Sequence, residues 1–374
     1  MPAKPTAVGM HIYSGAWTLG FMDDFEILGQ WEELDAGTWT FRKNLGERIP
    51  HVISPSSEWP VAEIMKQHDY VNLVYANPPC APWSTAGAKL GMNDPRIQFA
   101  KNVSMVGKSL QPDFFIVESV CRAWSPTGGR PLYQEMAKAW GEAGYAVTVW
   151  FTNTVLHGAP QYRERFHFIA HRFKLDLDNF TPPTAAEIVT VRDAIEDLEM
   201  TAVSSESGKP MALPNHNYGE PKQKALNVME RLQEGEGWER GIERAQAEGL
   251  EAGKARFIAG RIRYDAPSPT LLDISQVVHP TQNRTLTIRE AARICGYPDW
   301  YEFGPLSEKM RDYRVDSSQL TQAALPFISR FIGDRFTKAL DRADEVSPLQ
   351  TVDDITIVDY RPYAKQFRPR IFER

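Results

Sequence analysis

The sequence predicts an α/β fold with a parallel sheet, and three features of the chain lead to this prediction. Short apolar segments with the composition of strands recur through the first half of the chain, at 8–14, 69–79, 113–120, 145–153 and 164–172. Amphipathic stretches such as 130–144 separate some of these segments, as crossover helices do between parallel strands. At 374 residues, 42% of them hydrophobic, the chain is also long enough to bury a large core.

The sequence pattern changes after the predicted sheet. From residue 175 to about 265 the chain is first loop-like and then charged and helical, with glycines that interrupt the helices. Helical periodicity returns where Thr287 is expected to cap a helix with Glu290 as its capping-box partner, and a last amphipathic helix is expected after Pro326. These changes predict a first domain at 1–174, a small inserted region at 175–280, a return to the first domain at 281–345, and a basic tail at 346–374.

The charge balance excludes one class of partner and leaves another open. With 42 Lys and Arg against 48 Asp and Glu, the net charge of −6 argues against a protein that coats nucleic acid with its whole surface. Residues 361–374 nevertheless hold five Lys or Arg and one Glu, so this end is either a solvated terminus or a phosphate contact. Because no apolar run reaches about 18 residues and no signal-peptide pattern is found, we expect a cytoplasmic protein without a membrane partner.

Three cysteines are spread along the chain, at Cys80, Cys121 and Cys295. Their number is odd and no CxxC pair or clustered His accompanies them, so the sequence predicts neither a disulfide framework nor a metal site. Cys121 and Cys295 are expected to pack in the core, as single cysteines usually do. Cys80 differs because it comes just after a predicted strand, in the stretch "LVYANPPCAPWS".

Unusual residues accompany the ends of four predicted strands. In an open α/β sheet, ligands bind beyond the carboxyl ends of the strands. The residues at these positions are Tyr13–Gly15, Pro78–Cys80, Glu118–Ser119 and Gln161–Arg165. Each group has an ordinary structural explanation by itself, such as a proline turn or a solvated charge. Taken together, with Cys80 and Glu118 at the mouths of two strands, they predict one shared crevice.

Five segments, in this order along the chain, resemble the DNA (cytosine-5) methyltransferase family. They are "SGAWTLGF" from 14, "NPPCAPWS" from 77, "VES" from 117, "TVLHGAPQYRERFHFIA" from 154, and "PSPTLL" followed by "VVHPTQNRTLTIREAARICGYPD" between 267 and 299. The resemblance extends over about residues 8 to 335. It implies a Rossmann-like, S-adenosylmethionine-dependent methyltransferase sheet with a small target-recognition region at 175–280. The departures described below are typical of a divergent member, for instance a phage-borne one.

The resemblance implies a covalent mechanism and four catalytic residues. Carbon 5 of cytosine becomes nucleophilic when a thiolate adds to carbon 6, and Cys80 matches the family's thiolate. Glu118 matches the acid that relieves the charge near N3 of the ring. Arg163 and Arg165 match arginines that hold the carbonyl of the base and the backbone near the thiol. Because a base inside a duplex cannot be reached, the family flips it out of the stack.

The resemblance also implies S-adenosylmethionine as the methyl donor. The residues that match its binding positions are Tyr13, Ser14, Gly15, Ala16, Trp17 and Pro78, together with Glu32 for the ribose hydroxyls. Several positions depart from the family. Trp17 and Thr18 replace a glycine pair, no acid stands near Ser54, and Gln322 and Ala323 replace Gly-Asn. We therefore retain two hypotheses, a modified or weakly bound S-adenosylmethionine and simple sequence divergence. On the base side, Ser119 replaces the family's Asn after Glu118.

The expected partner is double-stranded DNA, bound by a monomer. The candidate DNA contacts are Ser84, Gln161, Arg261, Arg263 and Arg284, and the inserted region adds Asn215, His216, Asn217, Lys222 and Lys224. This region is short, so we expect short or relaxed sequence specificity. Two alternatives stay open, an RNA methyltransferase of the same fold and an inactive DNA-binding relative. The RNA branch's Cys-Phe-Thr signature is missing, and an inactive binder would not need Cys80.

Overall fold

The computed structural model describes residues 3–84, 90–253, 260–305, 317–342 and 344–369. The strands in these ranges are β1 (Thr6–Met10), β2 (Glu26–Glu32), β3 (His51–Ile53), β4 (Leu73–Ala76), β5 (Phe114–Ser119), β6 (Ala146–Asn153), β7 (Glu164–His171), β8 (Val203–Ser204), β9 (Asn217–Tyr218), β10 (Gly260–Arg261), β11 (Val277–Val278) and β12 (Thr356–Asp359). The α-helices are α1 (Ala16–Phe21), α2 (Thr38–Leu45), α3 (Val61–Gln67), α4 (Ile97–Ser109), α5 (Arg130–Gly141), α6 (Val191–Ile195), α7 (Gln223–Met229), α8 (Trp238–Ala247), α9 (Ile288–Ile294), α10 (Ser318–Thr321), α11 (Pro326–Arg342) and α12 (Arg361–Ala364).

The chain forms two compact units, which we call the sheet unit and the second unit. The sheet unit comprises Met1–Asn153, Glu164–Pro182 and Ala323–Pro362, and the second unit comprises Thr154–Arg163, Pro183–Gln322 and Tyr363–Arg374. The sequence-based division returns the chain to the first domain at residue 281, whereas the structure groups residues up to Gln322 with the second unit.

The sheet unit confirms the predicted α/β fold. Among the described residues, eight strands form one sheet in the order β12-β6-β7-β5-β4-β1-β2-β3. The prediction of a purely parallel sheet is wrong for β7, which pairs antiparallel with both β5 and β6. This reversal brings the beginning of β7 to the end of β5, where Glu118 lies opposite His167 and Ser119 opposite Phe166.

The sheet is covered by helices on both faces. Side chains of a strand alternate between faces, so Phe115 stacks on Trp140 of α5 at 4.6 Å while Phe114 stacks on Phe336 of α11 at 4.4 Å. Helix α11 begins at Pro326, as predicted. It lies so close to α1 that a Cβ on Gly20 would stand 2.0 Å from the hydroxyl oxygen of Ser329.

The prediction of a basic tail at 346–374 needs correction, because part of it belongs to the sheet. Strand β12 pairs in parallel with β6, from Thr356 opposite Thr148 to Asp359 opposite Phe151. The pattern of β12 is weak because only Val358 is buried, whereas Ile357 is 57% exposed. A single inward-facing apolar residue gives no period that sequence reasoning could detect.

The second unit is held by small apolar clusters and buried charges. Helices α7 and α8 pack around Val228 and Trp238. Helix α9 has the predicted capping box, because the Thr287 hydroxyl accepts a hydrogen bond from the Glu290 amide at 3.1 Å and the Glu290 carboxylate accepts one from the Thr287 amide at 2.8 Å.

Candidate active site

The loop after β1 has an unusual backbone. His11, Tyr13 and Gly15 have φ angles of 53°, 65° and 84°, in the left-handed region that favours glycine. In the part of the chain that the structure describes, only four non-glycine residues have positive φ, and two of them lie here. Such a conformation costs about 1 to 3 kcal/mol per residue and persists only where other contacts impose it. The loop therefore marks a candidate ligand site at the carboxyl edge of the sheet.

Glu32, the last residue of β2, imposes that loop conformation. One carboxylate oxygen, Oε1, accepts hydrogen bonds from the amides of Ile12 at 2.7 Å and Tyr13 at 3.1 Å, and from Gln30 Nε2 at 3.0 Å. Burial raises the pKa of Glu32 from 4.5 to about 8, although these three donors act to lower it. Glu32 is therefore a carboxyl group that titrates near neutral pH.

His11 lies between two carboxylates in this loop, a position that sequence reasoning missed. Its Nδ1 is 3.6 Å from the second oxygen of Glu32, and its Nε2 is 3.5 Å from Glu33 Oε1. The buried imidazole is framed by the rings of Trp59 and Phe99, whose centroids lie 5.7 and 5.2 Å away. His11 thus lies against the carboxylate oxygen of Glu32 that the loop amides do not contact.

The side chain of Trp17 is not exposed for donor binding. It is fully buried and stacks on His167 at 6.1 Å, and the neighbouring hydroxyl of Thr18 lies 2.9 Å from that of Tyr75. The predicted donor contact through Trp17 is corrected accordingly, because its indole belongs to the core. Of the other predicted donor residues, Tyr13 is half-buried, whereas Ser14, Gly15, Ala16 and Pro78 are buried.

The thiol loop, residues 77–84, follows β4. The Asn77 amide continues the sheet by donating to Met10 O at 3.2 Å, and two prolines then restrict the backbone before Cys80. The carbonyl of Cys80 accepts from the amides of Trp83 at 2.9 Å and Ser84 at 3.0 Å, which closes a tight turn. Cys80, which follows this strand end, is half-buried.

The buried carboxylate of Glu118 has one partner at each oxygen, an ion pair at Oε1 and a hydrogen bond at Oε2. Arg165 Nε lies 2.7 Å from Oε1, and the Asn77 side-chain amide donates to Oε2. Burial raises the pKa of the nearby Tyr133 hydroxyl; a hydrogen bond with Ser119 opposes this, and the charges of Glu118 and Cys80 raise it further. The charges of Glu118 and Cys80 therefore both act on the hydroxyl of Tyr133.

Arg163 and Gln161 lie in the second unit and are both buried. Arg163 donates from Nη1 to the carbonyl of Thr321 at 2.7 Å. Gln161 Nε2 approaches Cys295 Sγ at 3.7 Å, a long contact to a weak acceptor. Cys295 is buried, as predicted from the sequence. The DNA contact predicted for Gln161 is corrected, because its side chain is not accessible.

Two further arginines predicted to contact DNA are structural. The guanidinium of Arg261 is only 5% exposed and donates to the carbonyls of Leu232, Met229 and His279 at 3.0, 2.7 and 2.6 Å. Arg284 is buried and forms a bidentate pair with Glu290 at 2.8 and 2.6 Å. Both guanidinium groups donate their hydrogen bonds within the protein, so the DNA contacts predicted for Arg261 and Arg284 are corrected.

The remaining residues that were predicted to contact DNA differ in how exposed their side chains are. Asn215 exchanges two hydrogen bonds with the backbone of Phe303, and His216 is buried between Thr287 and Leu198. Asn217 bonds to Ser205, and Lys224 pairs with Glu251 at 3.0 Å. Arg263 is exposed, and Ser84 is half-buried; both stay predictions as DNA contacts, as does the exposed Lys222.

Neither a metal cluster nor a membrane span is found in the described residues. Over those ranges, His, Cys, Asp and Glu side chains form no group of three that could hold a metal ion. No helix within the same ranges has the length and apolar character needed to cross a membrane.

Comparison with known proteins identifies the family. The profile of the C-5 cytosine-specific DNA methylase family matches residues 10–317. Type II methyltransferase M.FnuDI of Fusobacterium nucleatum is 29% identical over 311 residues, covering 79% of this chain and 85% of the relative. Type II methyltransferase M.MthTI of Methanothermobacter thermautotrophicus is 30% identical over 277 residues, covering 71% and 78%.

A solved structure shares the fold. It is described as a DNA modification methyltransferase encoded within an Escherichia coli prophage, with a TM-score of 0.68 and 18% identity over 90% of this chain and all of that one. At this identity the likeness concerns the fold alone. The family assignment rests on the profile match, which covers most of the chain. The matched range includes all four groups of residues at the ends of the predicted strands. The chain belongs to the C-5 cytosine-specific DNA methylase family.

Proposed function

We propose that this DNA cytosine-5 methyltransferase acts on a flipped cytosine of duplex DNA through covalent attack by Cys80. The observation that carries the proposal is the hydrogen bond between the buried carboxylate of Glu118 and Asn77, the first residue of the loop that carries Cys80. Covalent catalysis on an aromatic ring requires a nucleophile and a positioned acid, and this loop links the two.

The reaction begins when the thiolate sulfur of Cys80 forms a bond to carbon 6. The C5=C6 electron pair shifts to carbon 5, and Glu118 supplies a proton to N3, so that no net charge accumulates on the ring. S-adenosylmethionine, when bound, supplies a methyl group on a positively charged sulfur as the electrophile for carbon 5. Glu118 takes back the proton from N3, and the proton on carbon 5 passes to solvent water. The C5–H electron pair re-forms the C5=C6 bond as the sulfur–carbon 6 bond breaks, with its electrons returning to Cys80.

The residues around Glu32 fit such a donor. Glu32 Oε1 is occupied by the loop amides, whereas its second oxygen faces His11 at a longer distance and could accept from a ribose hydroxyl. Trp17 and Thr18 are one of the three departures behind the hypothesis of a modified donor, and both side chains point into the core. The replacement of this glycine pair therefore adds no side chain to the ligand side of the loop, whereas the departures at Ser54 and at Gln322 and Ala323 keep the hypothesis open.

Trapping of the covalent complex tests the proposal. DNA amplified with 5-fluorodeoxycytidine triphosphate carries the trap at every cytosine, so no recognition sequence needs to be known. We expect a covalent complex that requires S-adenosylmethionine, disappears in Cys80→Ala and persists in Cys121→Ala. Cys121 is the matched control because burial raises the pKa of its thiol to about 11, which keeps it protonated at neutral pH.

The alternatives give different results in the same assay. A complex with 5-fluorocytosine RNA and none with DNA would indicate an RNA methyltransferase. No complex with either nucleic acid would indicate an inactive DNA-binding protein and would refute the proposal. Calorimetry measures the binding of S-adenosylmethionine, and an assay with DNA shows which group is transferred. Tight binding together with transfer of a plain methyl group would exclude a modified donor.

A further inference from the structure

Asn77 occupies a position that the strand pairing forces against Glu118. Strands β4 and β5 are parallel neighbours in register, with Ala76 opposite Val117, so the next residues along the two strands are Asn77 and Glu118. The Asn77 side-chain amide donates to the carboxylate oxygen Oε2 of Glu118 and lies 3.3 Å from the Glu118 carbonyl oxygen. One side chain thus contacts both the acid and the backbone that carries it.

Ser119, the residue after Glu118, cannot contact the Glu118 carboxylate in this way. Side chains alternate along a strand, so Ser119 and Glu118 point to opposite faces of the sheet. Ser119 is buried on the face of α5, where it forms a hydrogen bond with Tyr133. The Glu118 carboxylate is contacted instead from the two neighbouring strands, by Asn77 at the end of β4 and by Arg165 of β7.

We infer that Asn77 is a positioning residue that orients Glu118 toward the base and controls when it carries a proton. The inference rests on the proposed function, since Glu118 needs a defined orientation only if it acts on a substrate. Asn77 differs from Arg165 in one useful respect. Its amide is neutral and half-exposed, so it can release Oε2 to an incoming base without leaving a buried charge unpaired.

The electrostatic consequence has a definite sign. A hydrogen bond donated to a carboxylate favours the charged form, so loss of the Asn77 donor favours the protonated acid. The charged and titratable groups around Glu118 are Arg165 beside its carboxylate, His167 opposite it on β7, Cys80 of the thiol loop, and Tyr133 on the α5 face of the sheet, whose pKa the charge of Glu118 raises. Glu118 must be protonated to supply a proton to N3, so the alkaline limb of the pH profile reports this change.

Single-turnover rates of covalent-complex formation between pH 5.5 and 9.5, with 5-fluorocytosine DNA and S-adenosylmethionine, test the inference. In Asn77→Ala we expect the maximal rate to fall by about ten- to a hundredfold, because the acid loses its orientation. We also expect the alkaline limb to move up by about one to two pH units, the equivalent of one hydrogen bond to a charged group. Asn77→Asp keeps the shape but replaces the donor by a second carboxylate, and should move the limb further in the same direction.

Asn44→Ala is the matched control. Asn44 is a half-buried residue of α2 in the same unit, and its side-chain amide donates to the carbonyl of Thr40 at 2.7 Å. Its removal should leave the pH profile unchanged. If Asn77→Ala and Asn77→Asp both retain the wild-type alkaline limb, the inference is wrong, whatever happens to the maximal rate. If the wild-type protein forms no covalent complex, the proposed function fails first, so the two failures are distinguishable. Asn77→Asp also serves if Asn77→Ala does not fold, since it is isosteric.

Discussion

Replacement of Glu32 by Gln should alter how the stability of the protein depends on pH. Burial raises the pKa of Glu32 from 4.5 to about 8 in the folded chain. Between these values the folded state keeps a proton that the unfolded state releases, so this group makes the folded state less stable as pH rises. The slope is about 1.4 kcal/mol per pH unit and accumulates to about 5 kcal/mol across the window. The contribution is complete below pH 4.5 and is lost as pH rises toward 8.

Glu32→Gln keeps the shape and the acceptor for Ile12 and Tyr13 but cannot titrate. Urea unfolding of both proteins at pH 5, 6, 7 and 8 gives the difference in unfolding free energy, in which all other titrating groups cancel. We expect the unfolding free energy of Glu32→Gln to increase steadily relative to that of the wild type as pH rises. At pH 8 the variant should be the more stable protein. A difference that stays constant within about 1 kcal/mol over this range would refute the reasoning, because the shift amounts to several times that value.

Glu33→Gln is the control for this experiment. Burial alone would raise the pKa of Glu33, but hydrogen bonds with His11 and Asn102 lower it overall. A carboxyl group with a lowered pKa contributes stability above its unfolded pKa and loses it as pH falls through the folded value. Between pH 5 and 8 its contribution is constant, so the wild-type and Glu33→Gln curves should run parallel.

Four more predictions concern the second unit, the packing of α1 and the DNA sites that are modified. Arg261→Ala should reduce the unfolding free energy by at least about 3 kcal/mol, because it leaves several buried carbonyls without a donor, and thermal unfolding measures this. The exposed Arg263→Ala should leave thermal unfolding unchanged but reduce the salt dependence of DNA binding by about one phosphate contact, and an unchanged salt slope would remove Arg263 from the interface. Gly20→Ala should cost about 1 to 3 kcal/mol because its Cβ would overlap the Ser329 hydroxyl, and urea unfolding that matches the wild type would contradict that packing. Bisulfite sequencing of plasmid DNA from an expressing host should show modification at short or relaxed sites; confinement to one long motif would contradict the short recognition region.

The sequence predicted five of the eight strands of the sheet, because the signals of these five are local. Each of the five predicted segments contains or overlaps a strand, since apolar runs next to turn residues specify a buried strand by themselves. The direction of β7 could not be predicted in this way, because the composition of a strand is the same whichever way it runs. That reversal decides the site, since it places Arg165 beside Glu118.

The candidate site was predicted less evenly. Cys80 and Glu118 follow from the rule on strand ends, because β4 and β5 are parallel neighbours. Arg261 could not be recognised as structural, since burial of a charged side chain depends on tertiary contacts distant in sequence. Asn77 was overlooked because of its local sequence, since an Asn before two prolines is typical of an ordinary turn.

Strand β12 has a practical consequence for work on this protein. It covers one side of β6, whose other side is paired with β7. Removing the chain from residue 356 onward would turn β6 into an edge strand with a row of unpaired backbone amides and carbonyls. Such an edge is a template for pairing with another molecule, so a shortened version should self-associate. Any shortened version of the protein should therefore keep β12, which pairs with β6.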